Sequence, residues 1–552
     1  MIERHYVNLP GGQLHYRRAG EGPPVVVLHS SPMSSAAMVP WIERLAADFT
    51  VYALDTPGYG QSDPLPYGGP DPEIPDYARR VVEFADALGL DRFVLGGTHT
   101  GSKIALATAV AAPERVAQLV MDGLGLYTVE EMAEQLERYT PPTVPVWHGG
   151  HLVEAWHRMR NMWTFWPWYR QEGERRLDES MPSLADLHLM TMDMLRAGLD
   201  WGVAYRAAFR YDARAALGGL RVPALLIAKH ADPLHEHLDR LRVEAPTMTV
   251  HSVGNEEHLD RLMAAFDRDL GLPDAPPSPV VEHAGGTTRR YVTTEHGVSH
   301  VRIDGDPAAP PLLLVHGSPG SADSFDALVR DLAADHLVIA PDTLGNGYST
   351  PSRAEDPRIG DFADATGAVL EALGLAGVQA YGSHTGACIS LELAVRRPDL
   401  VSSVVADGLP VLAEEERADL LENYFISMAP ERHGEHLLRA WHTIRDVMLF
   451  WPWYRQDAAH VRPTGPGETE HLHRLVLEFL KSGPTYQDSY RAAFLFESQA
   501  RLAAAEVPVL VCAAPDDMLR QGSEEASAGE PVTFVELDPA AGRGAAWAVR
   551  RA

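Results

Sequence analysis

Phe93–Val94–Leu95–Gly96–Gly97–Thr98–His99–Thr100–Gly101 runs directly into Ser102–Lys103–Ile104–Ala105–Leu106–Ala107. Three apolar residues, a glycine-flanked pentad and an Ala/Leu-rich run predict strand, sharp turn, helix. The glycines at either end of Gly97–Thr98–His99–Thr100–Gly101 let the backbone reverse tightly, which stands the central His99 side chain exposed above the end of the strand. The same pentad recurs as Gly382–Ser383–His384–Thr385–Gly386, after Val378–Gln379–Ala380–Tyr381 and before an apolar helix carrying Ile389, Leu391 and Leu393.

The recurrence extends over the whole chain. The offset of 285 residues that takes His99 to His384 also takes Tyr6 to Tyr291, Trp156 to Trp441, Arg160 to Arg445 and Asp232 to Asp517. It superimposes Phe165–Trp166–Pro167–Trp168–Tyr169–Arg170–Gln171 on Phe450–Trp451–Pro452–Trp453–Tyr454–Arg455–Gln456. A tandem of two copies is therefore expected, residues 1–270 and 287–552, joined by a semi-rigid Pro-rich linker at 271–286. At 552 residues the chain is long enough for two cores. A fused pair also suggests an internal pseudo-dimer.

The formal net charge of −29 argues against phosphate-rich partners, so neither nucleic acid nor an anionic membrane is expected. The two cysteines, Cys388 and Cys512, support no disulfide framework or thiolate metal site. Met1-Ile2-Glu3-Arg4-His5 lacks the basic and apolar regions of a secretory leader, and no stretch reaches the roughly 18 apolar residues of a membrane span. A cytoplasmic location is expected.

Within the first copy, Tyr6–Leu9 and Gln13–Tyr16 around Pro10–Gly11–Gly12 read as a hairpin, and Val25–Leu28 and Val51–Leu54 as buried strands. Apolar strands alternating with helical segments predict an α/β fold, a mostly parallel sheet covered on both faces, with its chemistry in loops at the strands' C-terminal ends. Those loops read His29–Ser30–Ser31–Pro32 (His316–Gly317–Ser318–Pro319 in the second copy) and Asp55–Thr56–Pro57–Gly58–Tyr59–Gly60–Gln61–Ser62 (Asp342 to Ser349).

An HG-type loop, a DxxGxGxS turn and the glycine-flanked pentad, in that order and twice over, resemble the α/β-hydrolase family. The resemblance implies that the pentad is the GxSxG nucleophile elbow with histidine in the serine's place. It implies a helical cap over the site, matching the helix-patterned stretches 127–220 and 412–502. It makes Asp232 the acid and His258 the catalytic base that Asp232 orients, with His99 at the elbow and the backbone N–H groups of Ser31 and Thr100 as oxyanion donors. Asp122 and Asp407, each followed by glycine at a strand end, are alternative acids.

In the cap, Trp156, Arg160 and Trp166 are candidate substrate contacts: the aromatics as a lid over an apolar pocket, Arg160 as a carboxylate ligand. Core packing and ion pairing within the cap are the alternatives. The second copy supplies Ser318, His384, Thr385 and Asp517 but has Arg543 where a histidine is needed, so it is expected to be degenerate, with Asp517 left nothing to orient.

The expected activity is hydrolysis of a small, largely apolar ester or carbonyl compound by histidine-based acid/base catalysis. The alternatives are a cofactor-independent lyase, isomerase or oxygenase using the same His–Asp pair, or a non-catalytic binding protein. Neither cofactor nor metal is expected, because the acid should lie behind the second histidine and not beside it.

Overall fold

The computed structural model describes residues 1–66, 71–244, 248–463, 465, 467–527 and 532–537. Its contacts divide the chain into two compact units. One comprises Met1–Val144, His151–Val281 and Arg432–Gly434; the other comprises Pro145–Gly150, Glu282–Glu431 and Glu435–Ala552.

In the first unit the strands are β1 (Glu3–Leu9), β2 (Gly12–Ala19), β3 (Pro24–Leu28), β4 (Thr50–Leu54), β5 (Phe93–Thr98), β6 (Val116–Asp122), β7 (Ala224–Lys229) and β8 (Thr249–Val253). They form one sheet in the order β1-β2-β4-β3-β5-β6-β7-β8. The β1–β2 hairpin is antiparallel and meets β4 antiparallel, and every later pairing is parallel. Every residue of β3 and β4 is buried, as unbroken apolar runs require in a sheet covered on both faces. Separate apolar clusters serve the two faces, one holding Val26, Leu28 and Leu95, the other Val25, Val27 and Val94. This alternation along β3 and β5 is the period-2 geometry of a strand.

The second unit repeats the plan with β9 (Thr287–Thr294), β10 (Gly297–Asp304), β11 (Pro311–Val315), β12 (Leu337–Pro341), β13 (Val378–Ser383), β14 (Val401–Asp407), β15 (Val509–Ala513) and β16 (Thr533–Glu536). Read from its β9 edge, the order is β9-β10-β12-β11-β13-β14-β15-β16, the same permutation.

Between β6 and β7 lies a helical insertion: Val129–Arg138, Gly150–Met162, Leu184–Arg196, Val203–Arg210 and Ala213–Gly219. Thr128 starts it with a capping box closed by Glu131. The counterpart between β14 and β15 begins at Glu414–Asn423 and ends at Ser498–Ala504.

The stretch 271–286 is not simply a spacer. The Ala275 amide donates to the Gly22 carbonyl (2.9 Å) and the Tyr52 hydroxyl to that of Pro276 (3.4 Å). The first unit accordingly runs on to Val281. Proline-rich composition fixes φ but leaves neighbouring N–H and C=O groups free to bond, which is how this segment is laid along its own domain.

Candidate active site

The turn after β5 is the centre of the site. His99 has φ 48° and His384 has φ 51°, and they are the only non-glycine residues with positive φ among those described. Such a conformation costs about 1–3 kcal/mol and persists only where its surroundings enforce it. The flanking glycines do so by close approach. A Cβ on Gly97 would lie 2.5 Å from the Gly101 carbonyl oxygen, and one on Gly101 would lie 2.3 Å from that of Leu28. Helix Thr100–Ala111 follows at once, so the Thr100 N–H is at its first turn and has no intrahelical acceptor.

The DxxGxGxS turn holds the neighbouring loop in place. Asp55 accepts from the amides of Ser35 (2.6 Å) and Gln61 (2.7 Å) and pairs with His15 (2.8 Å). Gly60 passes so close that a Cβ would lie 2.1 Å from an Asp55 oxygen. Burial opposes the Asp55 charge, but His15, His29 and the donors around it bring its carboxyl well below the usual range. His29 accepts from the Thr56 N–H at 2.9 Å, which ties the Ser30–Ser31 loop to the turn. Burial depresses the pKa of His29, so it stays neutral, as an acceptor must. The second copy repeats the arrangement with Asp342, His300 and His316.

The elbow imidazole does not stand alone. His99 Nε2 lies 2.8 Å from Asp232 Oδ2, on the loop after β7, and His258 Nε2 lies 2.8 Å from Asp122 Oδ1, at the end of β6. Two His–Asp dyads are present. This corrects the expected pairing, in which Asp232 would orient His258. An imidazole reaches further from its Cα than a serine hydroxyl does, so His99 itself spans the gap to Asp232, and His258 takes the carboxylate beside it. The fit is tight: a Cβ on Gly123 (φ 68°) would sit 2.6 Å from His99 Cδ2, so the residue after Asp122 has to be glycine.

Burial pushes the His99 pKa down, but the charge and hydrogen bond of Asp232, with help from Asp122, more than offset it and bring it above the ordinary imidazole value. Burial likewise opposes the Asp232 charge, and His99 outweighs it, leaving that carboxyl below its usual range. The His99 side chain keeps 34% of its exposure while Asp232 keeps 5%. The imidazole is thus open on the side away from its carboxylate.

That open side faces a cavity of about 270 Å³. Ser31, Thr100, Asp122, His99, Asp232 and His258 all line it, and so does Trp166. Met159, Met162 and Trp163 of helix Gly150–Met162 and its end, with Tyr205 and Phe209 of helix Val203–Arg210, form the helical side.

Trp156 and Arg160 do not line the cavity, which corrects their reading as substrate contacts. Trp156 is fully buried, with its indole N–H on a backbone carbonyl at 3.1 Å. Residues 159, 162 and 163 share the helix face that meets the cavity; Trp156 is a turn too early and Arg160 is rotated to the flank.

Three charged lining residues, Lys103, Glu179 and Lys229, escaped the sequence reading. Lys103 is buried one turn beyond the elbow, with its Nζ donating to the Ala208 carbonyl at 2.6 Å. Lys229 is ion-paired with Glu179 beside the Trp163 ring. A lone lysine inside an apolar helix was the available signal for Lys103. Among the described residues no three His, Cys, Asp or Glu side chains converge as metal ligands would.

In the second copy His384 Nε2 meets Asp517 Oδ2 at 2.9 Å, so Asp517 does have an imidazole to orient, contrary to the expectation. Ser318 and Thr385 are buried beside it, and a Cβ on Gly317 would lie 3.4 Å from His384 Cβ. Asp407 has no histidine partner among the described residues; the Tyr381 hydroxyl donates to it at 2.5 Å. Burial pushes the Asp407 carboxyl up to about 6, the Tyr381 hydrogen bond offsetting part of the rise. Arg543 lies outside the described residues.

The model of the alpha/beta hydrolase fold family matches residues 23–147 and again 310–432. The chain is a tandem of two α/β-hydrolase folds. Similar curated proteins include haloalkane dehalogenase 2 of Mycobacterium bovis, 32% identical over 133 residues, which are 24% of this chain and 46% of that protein. The (E)-2-((N-methylformamido)methylene)succinate hydrolase of Acinetobacter baylyi is 28% identical over 229 residues, 40% of this chain and 76% of that one. A 2-hydroxy-6-oxononadienedioate/2-hydroxy-6-oxononatrienedioate hydrolase of Dechloromonas aromatica is 36% identical over 118 residues, 20% and 40% respectively. The chain thus spans less than half the length of the first of these relatives. Among solved structures, epoxide hydrolase A from Mycobacterium thermoresistibile covers 49% of this chain and 99% of its own at 21% identity, with a TM-score of 0.40. Both α/β-hydrolase units carry their elbow histidine at the same strand-to-helix turn.

Proposed function

We propose that the first copy is a hydrolase acting on a small, largely apolar ester or carbonyl compound, with His99 as a general base that activates water. The observation that carries this reading is the 2.8 Å contact between His99 and Asp232 at an elbow opening into a cavity of about 270 Å³. With Asp232 accepting from Nε2–H, the lone pair of neutral His99 is on Nδ1. A water held there gives up its proton to Nδ1 as its oxygen attacks the carbonyl carbon. Asp232 keeps the tautomer and stabilises the imidazolium that forms.

The carbonyl oxygen becomes the oxyanion, for which the N–H groups of Thr100 and Ser31 are the donors. His258, oriented by Asp122, supplies the second proton-transfer group, for the departing alkoxide or carbanion. A pKa raised by Asp232 makes His99 a stronger base than a free imidazole. The histidine in the position where the family resemblance implies serine turns a covalent nucleophile into a base. Three relatives carry hydrolase or dehalogenase in their names, which supports the reaction class.

Rapid mixing of the full chain with p-nitrophenyl hexanoate tests the reading. The expected trace is linear, with no burst of p-nitrophenol equal to the enzyme concentration, and it vanishes in His99→Ala. A stoichiometric burst would put an acyl group on the enzyme and overturn the water route; absence of any hydrolysis would overturn the hydrolase.

A further inference from the structure

The cavity contains a buried cation that the hydrolytic mechanism leaves unused. Lys103 projects from the elbow helix, four residues after His99 and so one turn along the same face. It is 3% exposed. Its Nζ spends one N–H on the Ala208 carbonyl at 2.6 Å and lies 4.9 Å from the centre of the Tyr127 ring. No carboxylate pairs with it among the described residues, and Asp212 acts on it only at longer range. Lys229, the other cavity lysine, already has Glu179.

An ammonium buried without a counter-ion is costly, and the lysine pays that cost by losing its proton easily: burial pushes its pKa down to about 7. A carbonyl and a ring face partly solvate it, and two N–H groups are left for a ligand.

The second copy shows that the fold does not need this lysine. At the equivalent helix position stands Cys388, fully buried in an apolar cluster, and the equivalent of Tyr127 is Leu412. The cation and its aromatic face are present together in one copy and absent together from the other. Packing alone would favour the cysteine.

We propose that Lys103 is a carboxylate-binding residue and that the substrate of the first copy carries a carboxylate group, seated on the side of Lys103 turned away from the Tyr127 ring, at the Ala208–Phe209 end of the cavity. The proposal rests on the assignment of this cavity as the substrate site. A carboxylate would supply the missing counter-charge, accept both free N–H groups and hold the rest of the molecule toward His99, one helical turn away.

The test is equilibrium binding to the full chain by titration calorimetry, with hexanoate and its uncharged isostere hexanamide as probes. Wild-type protein is expected to bind one hexanoate per chain, about tenfold more tightly than hexanamide. Lys103→Cys, which installs the residue the second copy already accommodates, should bind both probes equally. Lys103→Met keeps most of the unbranched side chain without the charge and serves if the cysteine variant does not fold. Equal binding of the two probes by wild type, no saturable hexanoate binding, or a preference retained in folded Lys103→Cys or Lys103→Met would each overturn the proposal. The measurement involves no turnover, so a chain that prefers hexanoate yet hydrolyses no ester separates failure of the hydrolase reading from failure of this one.

Discussion

The two halves share one sheet order, one strained elbow histidine and one elbow dyad, His99–Asp232 in the first and His384–Asp517 in the second. They part at the end of the next strand. Asp122 faces the imidazole of His258, whereas Asp407 faces the hydroxyl of Tyr381, which grows out of β13 where the first copy has Gly96. A tyrosine on a buried strand is held well above its ordinary pKa, by burial first and then by Asp407 beside it, so it cannot exchange protons near neutral pH as a histidine does. The cavity lysine disappears over the same comparison, Lys103 giving way to Cys388 and Lys229 to Ala514. The backbone devices that create the elbow and the elbow dyad itself are thus kept in both copies, whereas among the described residues the second dyad, His258–Asp122, and the cavity lysines occur only in the first.

The largest effect should separate the elbows. His99→Ala is expected to lower kcat/KM by about 10²–10⁴-fold, the usual worth of a positioned acid–base group. His384→Ala combined with Asp517→Ala should leave it within about twofold, provided the melting temperature is unchanged. Comparable losses would show that the second elbow also works.

Next in size is His258→Ala, expected to cost about 10²-fold, with the loss concentrated in kcat because the group acts on the leaving atom and not on binding. An unchanged rate in a folded variant would confine the chemistry to the His99 dyad and remove the difference between the copies.

A smaller effect comes from the glycines behind the dyads. A Cβ at Gly123 would press on His99 Cδ2 at 2.6 Å, and one at Gly408 on His384 Cδ2 at 2.4 Å. Both positions have positive φ, so each alanine should destabilise by about 1 kcal/mol or more, read as a shift in urea midpoint. Only Gly123→Ala should also reduce turnover.

Much of this comparison could be read from the chain, and the boundary of what could is physical. The repeat, the sheet and the elbow were legible because Gly97 and Gly101 are fixed by backbone contacts, and Gly60 by the Asp55 carboxylate, that tolerate no side chain, and such constraints appear directly as residue identities. Which carboxylate each histidine would take was not legible. Asp122 and Asp232 were both in view, but the choice depends on how far an elbow imidazole reaches. Core packing, the alternative for Trp156, is what the structure shows, but how far along the helix axis the cavity lies was not legible, so Met159, Met162 and Trp163 were not named as lining residues. Tyr381 read as one more apolar strand residue, and its meaning appears only beside Gly96 and His258.

The most direct test is the pH dependence of kcat/KM for hydrolysis of p-nitrophenyl hexanoate by wild type, Asp232→Asn and Asp517→Asn. A general base must be neutral to act, so activity should rise with pH through the His99 pKa. Because Asp232 raises that pKa, the wild-type inflection should lie above 6.5. Asp232→Asn removes the charge and should lower both the inflection and the plateau, while Asp517→Asn should leave both in place. An inflection that moves with Asp517→Asn, or that stays fixed in Asp232→Asn, would contradict the assignment of His99 as the base.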